Sequence, residues 1–268
     1  MKVLLLFSAL LWSLAATAQQ LVATTPPITY HVGLQKAPLF RSYADTLRRP
    51  SLYLPSQAEA SVVGQAGPRW AITKREGFLY LIPTQLLSDY DPEDAAPLPL
   101  DPQTQRITYQ GVIPVPGVSQ ADLYARAQAW INQTYSADKV LTPNPATGEL
   151  VLQAARPAVV RREYEGVLRP SYAGAVRHTL TVYVKDGRYK YVFTNLSHDA
   201  MGTLNLKSGG PLEQSRATLF GYAGLGSQKP WLDLKHDATR DVRNLATSLQ
   251  EAMTMQKVKK GGKDARDF

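Results

Sequence analysis

The chain has 268 residues, 44% hydrophobic and 19% charged, with a formal charge of +8 and no cysteine. That balance is of a folded protein rather than a disordered one, and the length accommodates two domains of ordinary size. Without cysteine there is no disulfide, no thiolate metal site and no cysteine-borne lipid anchor, so stability has to come from packed cores.

The N-terminal segment reads as an address. Met1-Lys2 supplies a positive start, Val3 to Leu14 is almost wholly apolar, and Ala16-Thr17-Ala18 places small residues where a signal peptidase cuts. An apolar run of about a dozen residues is short of the roughly 20 a spanning helix needs. Residues 1–18 are therefore expected to be a cleaved signal peptide, with the cut between Ala18 and Gln19. The expected location is the bacterial periplasm or the medium, with no transmembrane anchor and no access to cytoplasmic nucleotides or chromosomal nucleic acid.

Residues 27–88 carry short runs of β-formers broken by turn residues: Ile28–Val32, Leu52–Leu54, Ser61–Val63, Arg69–Thr73 and Phe78–Ile82. Five short strands at this spacing predict a small β-barrel. The stretch from Trp70 to Leu87 resembles the closing hairpin of a bacterial SH3-like domain, with Trp70, Gly77, Tyr80 and Leu87 in the family's places. The resemblance implies an aromatic groove to which Trp70 and Tyr80 would contribute, although both residues equally suit a barrel core.

Ser88–Gln105 holds four prolines, five acids and no base, so 89–105 reads as an extended linker with solvated acids. Residues 106–256 form a larger unit. Arg106–Val115 is a predicted strand, and Ser119 opens a helix with Asp122 completing a capping box. Leu123, Ala127, Trp130 and Ile131 share one face of that helix. Glu149–Ala154 is the next strand, followed by a weaker one near Ala158–Tyr164. Val176–Val184 then turns through Asp186-Gly187 into Tyr189–Thr194. Lys207 to Lys229 reads as loop. A last helix runs from Asp237 to Gln256 with Val242, Leu245, Leu249, Ala252 and Met253 on one face. Residues 257–268 are a basic tail, expected to be disordered.

The segments Tyr109–Ser119, Asp122–Ala127 with Trp130, Val184–Tyr191 and Asn195 resemble the bacterial domain of unknown function 4468. Its fold is similar to one repeat of the TATA-binding protein. The resemblance spans about 107–198 plus the final helix, and it departs in a long insert between Arg156 and Ala175. The fold class it implies is α+β: a TATA-binding-protein-like antiparallel sheet with two helices on one face, preceded here by the small SH3-like β-barrel. The family brings no activity with it.

Catalytic chemistry finds little support. His31, His178, His198 and His236 show no metal-site spacing. Ser136-Ala-Asp-Lys139 and Lys207-Ser208-Gly209 echo two motifs of penicillin-binding enzymes, but Ser136 follows a helix instead of opening one, and the third motif is missing. Gly221 to Lys229 lacks the Gly-Lys-Ser/Thr ending of a phosphate loop. No catalytic residue, metal or cofactor is assigned. The remaining feature is a basic, aromatic strand pair containing Arg177, Tyr183, Lys185, Arg188, Tyr189, Lys190, Tyr191 and Phe193. Tyr189, Tyr191 and Phe193 share one face and read as core under the helices.

The expected function is that of a non-catalytic, exported envelope protein whose ligand contacts come from Trp70, Tyr80, Arg188 and Lys190. Its expected partner is an envelope protein, a cell-wall peptide or an anionic glycan, and not nucleic acid. The alternative is a cell-wall hydrolase with its site in the 196–230 loops, where Ser208 lies. A third reading is nucleic-acid binding on the sheet.

Overall fold

The computed structural model describes residues 21–135, 139–164, 167–215, 217–220 and 228–254. The signal segment with its Ala18–Gln19 cut, Ser136 and the 257–268 tail lie outside these residues, as does the glycine-rich stretch from 221 to 227.

The N-terminal unit contains β1 (Leu21–His31), β2 (Ala37–Leu39), β3 (Leu52–Leu54), β4 (Glu59–Ala66), β5 (Trp70–Arg75) and β6 (Phe78–Pro83). Alternation along β4 and β5 turns Ala60, Val62 and Ala71 inward, where they meet Tyr30, Leu39, Leu54, Tyr80 and Ile82. The strands do not close into the predicted barrel. β1, β4, β5 and β6 form one antiparallel sheet in the order β1-β4-β5-β6, and β2 with β3 forms a separate ribbon. Ribbon and sheet pack through shared core residues, but their backbones are bridged only at Phe40–Leu81 among the described residues, and Val32 meets Leu87 at another isolated bridge. A barrel needs a continuous staggered ladder, and β2 and β3 have three residues each, too few to supply one.

The C-terminal unit contains β7 (Tyr109–Pro114), α1 (Gln120–Thr134), β8 (Val140–Asn144), β9 (Glu149–Tyr164), β10 (Val167–Lys185), β11 (Arg188–Asp199), β12 (Gly210–Pro211) and α2 (Gln228–Thr254). Its antiparallel sheet has six strands, β12-β11-β10-β9-β8, with β7 paired to the first half of β11. Both helices cover one face. Leu123, Ala127, Trp130 and Ile131 of α1 and Val242, Leu245, Leu249 and Met253 of α2 pack on Leu152, Leu180, Val182 and Phe193. The α+β expectation, an antiparallel sheet with helices on one side, therefore holds. Ser119 caps α1 as predicted, its hydroxyl accepting from the Asp122 N–H at 3.1 Å.

Three features differ from expectation. The insert between Arg156 and Ala175 is the outer half of one long β9–β10 hairpin, with Val160 and Ala173 buried. α2 begins at Gln228 instead of Asp237. Pro230 looks like a stop, but it sits in the first turn, where a backbone N–H is not needed. The acidic segment is a folded strap, not solvated chain. Pro92–Ala95 forms a 3-10 turn capped by Asp91, and Asp94 is only 6% exposed. No helix among the described residues is long and apolar enough to cross a membrane.

Candidate binding surfaces

Pleating assigns β7, β8, β9, β10 and β11 two faces. Tyr189 and Phe193 point toward the helices and are buried, and Tyr191 is partly buried against the same core, so their reading as core stands. Among the described residues no helix packs on the opposite face. Across it run rows fixed by register: Val112, Lys190, Tyr183 and Glu149 in one, and Gln110, Val192, Thr181 and Val151 in the next. None of these eight residues is buried, and Val112 and Tyr183 are 61% and 42% exposed. Lys185 and Arg188 pair at the turn end of the same face. Lys185, Arg188 and Lys190 form no ion pair among the described residues. Burial first, then its hydrogen bond and charge repulsion with Glu149, holds the Tyr183 phenol above its ordinary value, so it remains a neutral donor.

The structure brings Arg188 and Lys190 together on that face and puts Trp70 and Tyr80 elsewhere. Tyr80 is 5% exposed within the main N-terminal core. Trp70 belongs to a smaller cluster with Phe40 and Tyr43, meeting their rings edge-to-face at 5.6 and 6.1 Å. The two aromatics line different clusters on opposite faces of the β5–β6 pair.

A buried ionic cluster joins the two units. Asp94 Oδ2 accepts from the Tyr30 hydroxyl at 2.7 Å and lies 2.7 Å from Lys229 Nζ, which also reaches Asp233 at 2.5 Å. Burial pushes the Asp94 carboxyl up against the pull of Lys229. Burial opposes the Lys229 charge too, but Asp233 and Asp94 outweigh it and hold the ammonium protonated. Outside this core, Arg240 bonds Glu93 at 3.1 Å, and His31 bonds Asp89 at 2.9 Å. A cavity of about 290 Å³ adjoins the cluster, with Asp94, Trp231, Lys235 and His236 in its wall. The strap is thus anchored to β1 and to α2.

The histidines do not converge, and no group of metal-ligating side chains occurs among the described residues. His178 shares a hydrogen bond with the Tyr135 hydroxyl at 3.0 Å, and burial lowers its pKa to about 4. In His198, Nε2 donates to the Ala173 carbonyl at 2.5 Å, while Nδ1 accepts from the Gly209 N–H at 2.9 Å. Ser208 accepts from the Ala200 N–H at 2.9 Å, so its hydroxyl holds a turn.

The residues behind the family resemblance occupy one structural unit. β7 pairs with β11, and Gly111 lets the Tyr191 ring lie across it; a Cβ there would come within 2.8 Å of the ring. Asn195 takes φ +57° at a bulge in β11, a conformation asparagine tolerates, and donates to Thr179 at 3.3 Å. A family model described as "Domain of unknown function (DUF4468) with TBP-like fold" matches residues 109–199. Among solved structures, the chain is similar to a DUF4468 family protein from Bacteroides ovatus ATCC 8483, at 13% identity and a TM-score of 0.42, over 57% of this chain and 89% of that one. It is also similar to a TBP-like protein from Parabacteroides distasonis ATCC 8503, at 11% identity and a TM-score of 0.38, over 54% of this chain and 93% of that one. No curated protein matches it. The part of the chain that matches this family model thus runs from the β7–β11 pairing through the bulge at Asn195.

Proposed function

We propose that the protein is an exported envelope component that acts by binding, and that its ligand is an anionic glycan held on the uncovered sheet face. The observation that carries this reading is the convergence of Lys185, Arg188 and Lys190 beside Tyr183 on a face that no helix among the described residues covers. A tyrosine ring offers a stacking platform for a sugar, and its hydroxyl oxygen, with the proton given to Glu149, can still accept. Lysine and arginine at strand spacing match carboxylates repeated along a polysaccharide, with arginine able to grip one in bidentate fashion. The amides and hydroxyls of Gln110, Thr181 and Thr194 offer further hydrogen bonds on the same face. Export rests on the signal-type segment 1–18, which also removes nucleic acid as a partner.

Calorimetric titration of the mature protein with polygalacturonate, with neutral dextran as control, tests the proposal. Binding of the anionic polymer alone, weakened as salt screens exposed charges over about 8 Å at physiological ionic strength, is the expected result. A triple K185E/R188E/K190E variant with an unchanged melting curve should lose that binding, whereas Trp70→Ala should retain it. Equal binding of dextran, or full affinity in the triple variant, would overturn it.

A further inference from the structure

A second cavity, of about 230 Å³, lies between the β9–β10 hairpin and α2, away from the uncovered face. Val176, Leu196, Leu234 and Leu245 make its walls apolar. Among the charged residues lining it, Asp237 and Arg240 already pair at 2.8 Å, and Arg240 also holds Glu93. Arg156 and Asp241 differ. Neither side chain makes a hydrogen bond or ion pair among the described residues, and Arg156 Nε is buried without an acceptor. Both lie near enough to Tyr135 to act on its phenol in opposite senses. A guanidinium N–H buried at an apolar cavity without an acceptor is costly unless something pairs it, and Asp241 sets a carboxylate on the same wall.

We propose that this cavity binds a free apolar α-amino acid of about leucine's size, with its carboxylate on Arg156, its ammonium on Asp241 and its side chain against Val176, Leu196 and Leu245. Size agrees: an apolar cavity of about 150 Å³ holds the six heavy atoms of benzene, so one of about 230 Å³ suits the nine of leucine. Charge selects the class. A simple fatty acid would satisfy Arg156 but set its carboxylate beside unpaired Asp241. An amine would do the converse. Only a zwitterion serves both, and its apolar side chain gains by leaving water.

Calorimetry of the full mature chain with L-leucine, 4-methylpentanoate and isoamylamine tests this. Leucine should bind at micromolar to low-millimolar concentration, and each half-ligand should bind at least about tenfold more weakly, a loss of about 1.4 kcal/mol. Arg156→Gln and Asp241→Asn should each weaken leucine about tenfold or more, and Leu245→Trp, which fills the cavity, should abolish binding, with melting curves recorded for every variant. The half-ligand comparison uses the unaltered protein and so does not depend on any variant folding. No leucine binding at 10 mM, about ten times the upper end of the expected range, would overturn the proposal. So would equal affinity for 4-methylpentanoate, or unchanged affinity in folded Arg156→Gln and Asp241→Asn.

Discussion

Asp186 Oδ1 accepts the backbone N–H of Gln120 at 2.7 Å, so the tip of the β10–β11 hairpin caps the first turn of α1. The contact is reinforced by two backbone bonds from the same turn, Gly187 N–H to the Val118 carbonyl at 2.9 Å and Val115 N–H to the Gly187 carbonyl at 2.8 Å. A carboxylate at a helix N-terminus satisfies an orphan donor and complements the helix dipole. Asp186→Ala should therefore cost about 1 kcal/mol, as removal of a helix cap does, and Asp186→Asn, which keeps an acceptor oxygen, should cost less. Chemical denaturation of the two variants checks the order.

The Asp94–Lys229 pair predicts a larger effect. Lys229→Met would leave Asp94 buried without its cation, a change that costs about 3–5 kcal/mol when one partner of a buried pair is removed. Asp94→Asn combined with Lys229→Met should recover part of the loss. A double-mutant cycle measured by denaturation would show the coupling, and strictly additive losses would mean that the pair does not bind strap to helix.

Acid should loosen the C-terminal unit before carboxylates titrate. Burial depresses the His178 pKa to about 4 and also lowers those of His198 and His236. A base with a depressed folded pKa stays neutral in the fold while the unfolded chain takes up a proton. Its stabilising contribution is complete above the unfolded value of 6.5 and is lost as pH falls from there toward 4. For His178 alone the loss reaches roughly 3 kcal/mol at 1.36 kcal/mol per pKa unit. Melting temperature measured between pH 7 and 4 should fall steeply, and less steeply in His178→Gln.

Gly209 faces Trp231, and a Cβ at that position would sit 2.5 Å from the indole Cζ3. Trp231 is 1% exposed, and its Nε1 donates to the Gln214 carbonyl at 2.8 Å, so moving the ring would break that bond. Gly209→Ala should cost about 1–3 kcal/mol through overpacking and should shift the tryptophan fluorescence. An unchanged melting temperature would show that the first turns of α2 can move away.

Local signals made the centre of the C-terminal unit legible. Ser119 with Asp122, the spacing of Leu123, Ala127, Trp130 and Ile131, and the Asp186-Gly187 turn each specify structure within a few residues, and each is observed. Alternation likewise separated Phe193 and Tyr189 from Lys190. What escaped depends on distant partners. Asp94 reads as a solvated acid until Lys229 of α2 and Tyr30 of β1 close over it. β8 is a short, largely exposed edge strand ordered by pairing with β9. The barrel expectation failed because strand spacing alone does not report whether two three-residue strands can zip the edges together. Arg156 and Asp241 carry no local motif, and only the packing of the β9–β10 hairpin on α2 brings both to one cavity.

The glycan reading is tested most directly by following backbone amide shifts of the isotope-labelled protein without residues 1–18 during titration with oligogalacturonate. Binding on the uncovered face predicts saturable shifts at Val112, Tyr183, Lys185, Arg188 and Lys190, reversed by raised salt. Residues around Trp70 and Tyr80 should stay still. Shifts centred on Phe40, Tyr43 and Trp70, or no shifts at oligosaccharide concentrations that saturate binding in calorimetry, would contradict it.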